Sequence, residues 1–135
     1  MELKNNALFK ETCFIGGKWI ESDLGEKIKV DNPANGEIIG EVPKCSTSET
    51  QKAIQEAQAA FPLWRDKTAK ERSVILQKWA RLIELNVDDL AKIMTIEQGK
   101  PLVEAKGEIL MGVTYIDFYA EEGKRVYGDI IPDPM

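Results

Sequence analysis

The chain has 135 residues, of which 43% are hydrophobic and 30% are charged, which is typical of a globular protein rather than a disordered or fibrous one. Its net charge of -5 argues against nucleic acid or an anionic membrane as a partner. The absence of histidine excludes imidazole metal sites and histidine-activated nucleophiles. No long apolar run occurs, so we expect a cytoplasmic protein without a membrane anchor.

The first third of the chain alternates apolar and polar residues and contains two turn signals. The glycine pair at 16–17 tolerates the positive φ angles of a tight turn, which predicts a first hairpin. The sequence Asn-Pro-Ala-Asn-Gly at 32–36 predicts a second hairpin with a longer loop. The predicted hairpins pair 13–15 with 18–20, and the segment containing Ile28 and Val30 with the segment containing Ile38, Ile39 and Val42.

After the second hairpin the apolar period changes from two to about 3.6 residues, which predicts four helices. Ser46 with Glu49, and Thr68 with Glu71, each fit a capping box at a helix start. Asn86 is predicted to cap the third helix. Apolar stripes follow these three signals: Ala53, Ile54, Ala57, Ala60, Phe61 and Trp64; then Ile75, Leu76, Trp79, Leu82 and Ile83; then Val87, Leu90, Ile93 and Met94.

The segment EQGKP at 97–101 separates the third predicted helix from the fourth. Gly99 is expected in the left-handed conformation that ends many helices. Pro101 is expected at the first position of the fourth helix, where its missing N–H costs nothing. The fourth helix then continues along an apolar ridge and is predicted to fade near Gly123.

No residue pattern identifies a catalytic site on chemical grounds alone. Neither of the glycine-rich phosphate-binding patterns occurs. Cys13 and Cys45 have no Cys-x-x-Cys spacing, so we interpret them as reduced, structural thiols rather than nucleophiles or a disulfide framework. The tryptophans and tyrosines lie on helical stripes and are interpreted as core residues.

Five stretches of the chain occur in one characteristic order: CFIGGKWIES, VDNPANGEIIGEVP, AFPLWRDKTAKERSVIL, TIEQGKPLVEAKGEI and FYAEEGKRVYGDIIP. Together they resemble the N-terminal segment of the NAD(P)-dependent aldehyde dehydrogenases, and among these the bacterial succinate-semialdehyde dehydrogenases. The resemblance covers essentially the whole chain. It implies an α+β chain of two β-hairpins followed by four helices, which is the incomplete N-terminal part of a Rossmann-like α/β cofactor domain.

We divide the chain into a hairpin region at 1–45, a four-helix segment at 46–128 and a tail at 129–135. The resemblance implies that the full-length parent oxidises an aldehyde, expected to be succinate semialdehyde, through a cysteine thiolate and with NAD or NADP as hydride acceptor. None of the family's catalytic or cofactor-binding motifs matches a stretch of this chain. We therefore expect the chain alone to be inactive and to bind no cofactor.

The resemblance also implies two sites and a form of assembly. In the family the last of these helices runs beside the substrate tunnel, which would place Met111 and Tyr115 on the aldehyde's path; core packing is the alternative. Some members hold a structural monovalent cation with groups that correspond here to Val30, Asp31 and Glu97; helix capping and surface charge are the alternative. A homo-oligomer is expected. The rival to the enzyme fragment is a stand-alone helical interaction module derived from the same family.

Overall fold

A computed structural model describes residues 2–129 of the chain. Residues 130–135, which make up most of the predicted tail at 129–135 and the end of the YGDIIP stretch, lie outside the described residues. The predicted order of two hairpins and four helices is confirmed, and a short 3-10 helix precedes them at Asn6–Leu8. The strands are β1 (Cys13–Ile15), β2 (Lys18–Ile20), β3 (Lys27–Asp31) and β4 (Ile38–Pro43), and the helices are α1 (Thr47–Arg65), α2 (Ala69–Leu85), α3 (Val87–Gln98) and α4 (Leu102–Glu122).

Both hairpins are antiparallel two-stranded sheets, β1 with β2 and β3 with β4. In the first, Gly16 and Gly17 have φ angles of 59° and 78°, the left-handed region that the tight turn requires. In the second, the register shifts between Val30 and Asp31, next to the longer loop. The two turn signals in the sequence therefore produce the two turns that were predicted from them.

The starts of α1 and α2 follow the predicted capping boxes. The backbone N–H of Ser46 donates to the Glu49 carboxylate at 2.5 Å, and the N–H of Thr68 donates to the Glu71 carboxylate at 2.7 Å. Both capping residues have extended backbone conformations, which allow their hydroxyls to accept hydrogen bonds from backbone N–H groups in the first helical turn.

Asn86 is the N-cap residue of α3, as predicted, but its side chain makes no capping hydrogen bond there. Asn86 is the single residue between α2 and α3, and its φ and ψ of -109° and 13° are far from the extended conformation of a capping residue. Its side-chain amide instead donates to the Leu82 carbonyl at 2.8 Å, in the last turn of α2. The side chain of Asn86 therefore stabilises the end of α2, while its backbone carbonyl accepts from the Leu90 N–H at 3.0 Å and begins α3.

Gly99 ends α3 in the left-handed conformation, with a φ of 81°, and its N–H donates to the Thr95 carbonyl at 2.9 Å. This prediction is confirmed. The position predicted for Pro101 is off by one residue, because α4 begins at Leu102 and Pro101 is its capping residue. With a ψ of 137°, Pro101 is outside the helix, and its carbonyl accepts hydrogen bonds from the N–H groups of Glu104 and Ala105 in the first turn of α4.

The helical core consists mainly of small side chains. Helix α4 packs against both α2 and α3, and small residues at the contacts let the helix axes approach closely. Within residues 2–129 no large side chain is fully buried. The buried apolar residues in this part of the chain are Ala80, Ala91, Ala105, Val113 and Ala120.

Much of the apolar stripe predicted for α2 is exposed within residues 2–129. Trp79 and Leu82 are 55% and 51% exposed, and the small residues Ser73 and Ala80 of the same helix are buried instead. Trp19, Tyr115 and Tyr119 are also exposed, so the interpretation of the aromatic residues as core is wrong for them. No helix in the described part of the chain is long and apolar enough to cross a membrane.

A buried carboxylate attaches the N-terminal segment to α3. Asp89 is 3% exposed and accepts hydrogen bonds from the backbone N–H groups of Lys4, at 3.1 Å, and Asn5, at 2.8 Å. Hydrogen bonding from Lys4 is the main cause that lowers the pKa of Asp89; burial acts in the opposite direction, and Asn5 adds to the lowering. The segment before β1 is therefore anchored by a residue more than eighty positions away.

Candidate functional site

Two neighbouring surface cavities share Ile93 and Glu97 of α3 in their walls. The larger has a volume of about 750 Å³ and lies between α3 and α4. The smaller, of about 280 Å³, lies between the N-terminal segment, the second hairpin and α3. The larger cavity is lined mainly by aliphatic side chains: Ile83, Leu90, Ile93, Met94, Ile109 and Ile116.

The larger cavity is suited to contact with apolar surface rather than to chemistry. Its charged wall residue is Glu97, and within residues 2–129 no serine, cysteine or lysine side chain lines it. Leu90, Ile93 and Met94, which the sequence predicted to point towards a core, are half-buried and line this cavity. The apolar faces of α3 and α4 are therefore only partly covered within residues 2–129.

The three residues of the implied cation site are only partly brought together. Val30 and Glu97 both line the smaller cavity, whereas Asp31 is not among its wall residues. In residues 2–129 no group of three histidine, cysteine, aspartate or glutamate side chains is arranged to hold a metal ion. A cation here would depend on backbone carbonyl oxygens, which hard cations accept as ligands.

Met111 and Tyr115 lie four residues apart on α4, and therefore on one face of that helix. They are 58% and 60% exposed, so neither is packed in the core of residues 2–129. Tyr115 lines a shallow cavity together with Phe118 and Tyr119. This exposed aromatic surface can contact a ligand or another protein surface.

The structure brings together the two cysteines that the sequence left apart. The sulfur atoms of Cys13 and Cys45 are 3.7 Å apart, and both residues are half-buried. Burial is the main cause that raises the pKa of the Cys45 thiol, and Cys13 and the nearby carboxylates of Glu49 and Asp23 act in the same direction. A thiol with a raised pKa is a poor nucleophile at neutral pH, which supports the interpretation of Cys45 as non-catalytic.

Glu49 has a second role that the capping box did not predict. Its carboxylate, only 2% exposed, also accepts from the backbone N–H of Asp23 at 2.6 Å. The one side chain thus joins the start of α1 to the segment after β2. Hydrogen bonding from Ser46, first by its side chain and then by its backbone, lowers the pKa of Glu49, and Asp23 contributes in the same direction.

Two of the stretches that carried the sequence resemblance are in contact. A Cβ atom added at Gly99, in TIEQGKPLVEAKGEI, would lie 3.0 Å from the Cγ of Pro33, in VDNPANGEIIGEVP. The helix end and the hairpin loop therefore approach so closely that a side chain at position 99 would crowd Pro33 unless one of them shifted by a few tenths of an ångström.

Comparison with known proteins identifies relatives over the whole chain. The model of the aldehyde dehydrogenase family matches residues 19–135. The chain is 54% identical over 132 residues to a glutarate-semialdehyde dehydrogenase of Pseudomonas putida, and 52% identical over 132 residues to the NADP(+) succinate-semialdehyde dehydrogenase of Escherichia coli. Each alignment covers 98% of this chain, but 28% of the first protein and 27% of the second.

Solved structures give the same relationship. The crystal structure of succinate-semialdehyde dehydrogenase from Burkholderia pseudomallei matches the chain with a TM-score of 0.94 and 50% sequence identity. The match covers 100% of this chain and 28% of that one. The chain thus spans little more than a quarter of the length of these relatives.

Proposed function

The chain belongs to the aldehyde dehydrogenase family, and from this premise we propose that it is the N-terminal part of an enzyme that oxidises a semialdehyde to the carboxylic acid. The observation that carries the proposal is its identity of about one half, over 98% of the chain, to two semialdehyde dehydrogenases. The reaction would take up water and pass a hydride to NAD or NADP. Succinate semialdehyde is our first choice of substrate, and glutarate semialdehyde, one methylene longer, is the rival.

We propose that this chain supplies scaffold rather than reacting groups. The apolar cavity between α3 and α4 and the exposed residues of α2 offer a surface on which the remainder of such an enzyme can pack. The nucleophile and the groups that hold the nicotinamide cofactor would come from that remainder. The thiols of this chain take no part in the proposed chemistry.

We expect the 135-residue chain alone not to oxidise succinate semialdehyde with either nicotinamide cofactor. The reason is that the proposed nucleophile, oxyanion donors and hydride acceptor site lie elsewhere. The measurement is the absorbance of the reduced cofactor, with the Escherichia coli enzyme as a positive control. Turnover above the blank that persists through a second purification would contradict this expectation.

A chimera tests the positive part of the proposal. The segment of the Escherichia coli succinate-semialdehyde dehydrogenase that aligns with this chain is replaced by this chain, and both semialdehydes are assayed. We expect a folded chimera that retains kcat/KM for its preferred semialdehyde within about tenfold. A change in kcat/KM measures lost stabilisation of the transition state, and the contacts made by the scaffold are largely shared between the two proteins. A chimera that folds but oxidises neither semialdehyde would refute the proposal.

The chimera also tests the two proposed sites. If Met111 and Tyr115 face the substrate path, Tyr115→Ala should raise the KM for the semialdehyde several-fold, whereas Val103→Ala, at a 79% exposed position of the same helix, should not.

If Glu97 helps to hold a monovalent cation, Glu97→Gln should remove the dependence of thermal stability on added K⁺ or Na⁺. Equal KM values, or an unchanged salt response, would refute the respective site.

We also propose that the isolated chain forms a homo-oligomer. Trp79 and Leu82 of α2 and Phe118 of α4 are each more than half exposed, and apolar surface of this extent is commonly buried against another copy. Light scattering coupled to size exclusion should show association at micromolar concentration. Trp79→Arg should weaken it, and Leu63→Arg, at a 75% exposed position of α1, should not. A compact monomer that binds no hydrophobic dye would contradict the proposal and favour a stand-alone module.

A further inference from the structure

Cys13 and Cys45 lie at the junction of the first hairpin with α1. Cys13 begins β1, and Cys45 lies in the short link between the end of β4 and the capping residue of α1. Their sulfur atoms are 3.7 Å apart, although both hairpins intervene along the chain. No other cysteine competes for either of them, because the sequence contains two.

The geometry of this pair is close to that of a disulfide. A disulfide bond is about 2.05 Å long, so the sulfur atoms need to approach by roughly 1.7 Å from their separation of 3.7 Å. Cys45 lies outside any helix or strand, so rotation of its side chain towards Cys13 would disrupt neither. Both residues are half-buried, so part of their surface remains open to a small oxidant.

The surrounding hydrogen bonds hold the pair together without a covalent bond. Glu49 accepts from Ser46, next to Cys45, and from Asp23, in the segment after β2. Because β2 pairs with β1, this carboxylate fixes the link before α1 relative to the hairpin that contains Cys13. The raised pKa of the Cys45 thiol keeps this sulfur atom protonated at neutral pH. Positioning of this kind favours reaction between the two thiols over reaction with a second molecule.

We propose that Cys13 and Cys45 are a site of reversible thiol oxidation, in which an intramolecular disulfide links the first hairpin to the N-terminus of α1. The oxidant class is a small-molecule disulfide such as oxidised glutathione. One protein thiolate attacks the oxidant, forms a mixed disulfide and releases one glutathione thiolate; the second protein thiolate then displaces the other. The two protons lost by the protein thiols are taken up by the two glutathione thiolates, so each oxidant yields one protein disulfide and two reduced glutathiones.

The test is an equilibrium with glutathione that uses the unmodified 135-residue chain. The protein is equilibrated with defined ratios of oxidised and reduced glutathione, in native buffer and in concentrated urea, then quenched by alkylation and analysed by intact mass. We expect the native chain to lose two hydrogen atoms without gaining mass. Its equilibrium constant for disulfide formation should exceed that of the unfolded chain by about tenfold or more, because folding holds the thiols together.

Three outcomes would overturn the proposal: two bound glutathiones per native chain, a disulfide between two chains, or equal equilibrium constants in native buffer and urea. The wild-type comparison requires no variant to fold. Cys13→Ser and Cys45→Ser add a second measurement, in which each single variant should accumulate the mixed disulfide with glutathione that the wild type resolves. A wild-type chain that accumulates the mixed disulfide to the same extent would likewise overturn the proposal.

Discussion

Replacing Gly99 with valine is expected to lower the free energy of unfolding by about 2 to 4 kcal/mol, because two costs add at this position. The first is backbone strain, since a φ of 81° is unfavourable for a β-branched residue. The second is crowding, since the new Cβ would lie 3.0 Å from the Cγ of Pro33. Urea unfolding followed by circular dichroism measures the change, with the slope showing whether unfolding stays two-state.

Two other glycines serve as matched controls for the two costs. Gly17 has a similar φ of 78° but open space around an added Cβ. Gly17→Ala should therefore lower the free energy of unfolding by about 1 kcal/mol, through backbone strain alone. Gly107 lies inside α4 with nothing near an added Cβ, so Gly107→Ala should stabilise the chain by about 0.5 to 1 kcal/mol. If Gly99→Val lowers the free energy of unfolding by no more than Gly17→Ala does, crowding against Pro33 does not contribute to the loss.

Replacing Asp89 with alanine is expected to lower the melting temperature by roughly 5 to 10 °C, because two backbone donors lose a buried, charged acceptor. These donors are the N–H groups of Lys4 and Asn5. Hydrogen exchange should show in addition that the backbone amides of residues 4–9 lose protection. Thermal unfolding followed by circular dichroism gives the primary measurement.

The neighbouring Asp88 provides the control for this prediction. Its side chain is 48% exposed and pairs with the ammonium groups of Lys106, at 2.7 Å, and Lys4, at 3.4 Å. Exposed ion pairs of this kind contribute little to folding stability, so Asp88→Ala should change the melting temperature by less than about 2 °C. Equal losses in the two variants would show that Asp89 does not anchor the N-terminal segment.

The pH dependence of the Asp89 effect follows from the direction of its pKa shift. Because the pKa of Asp89 is lowered in the folded chain, its contribution is fully present above the unfolded value of about 3.9. It is lost as the pH falls through the folded pKa. The difference in stability between the wild type and Asp89→Asn should therefore be constant near neutral pH and shrink in strongly acidic solution.

The features that sequence patterns predicted correctly depend on residues close together in the chain. The capping boxes at Ser46 and Thr68 require partners only three positions away. The turn at Gly16 and the left-handed end at Gly99 depend on the backbone preference of single residues. Membership of the aldehyde dehydrogenase family was also readable from the sequence, because five ordered stretches carry it.

Two local predictions hold only in part. Asn86 is the N-cap residue of α3, but its side-chain amide donates to α2, the helix that it follows. Pro101 has an extended ψ and precedes α4 instead of beginning it. In both cases the sequence identified the residue correctly as a helix boundary, and the structure decided which hydrogen bonds it makes there.

The sequence by itself determined the order of hairpins and helices, the positions of most helix ends and the family. Only the tertiary structure decided that alanines rather than the large apolar residues are buried between helices, that Cys13 meets Cys45, and that Asp89 anchors the N-terminal segment. It also placed Val30 and Glu97 on one cavity while leaving Asp31 outside it. Hydrophobic period and capping chemistry act over three or four residues, whereas these contacts join residues that are tens of positions apart and depend on how closely the helices pack.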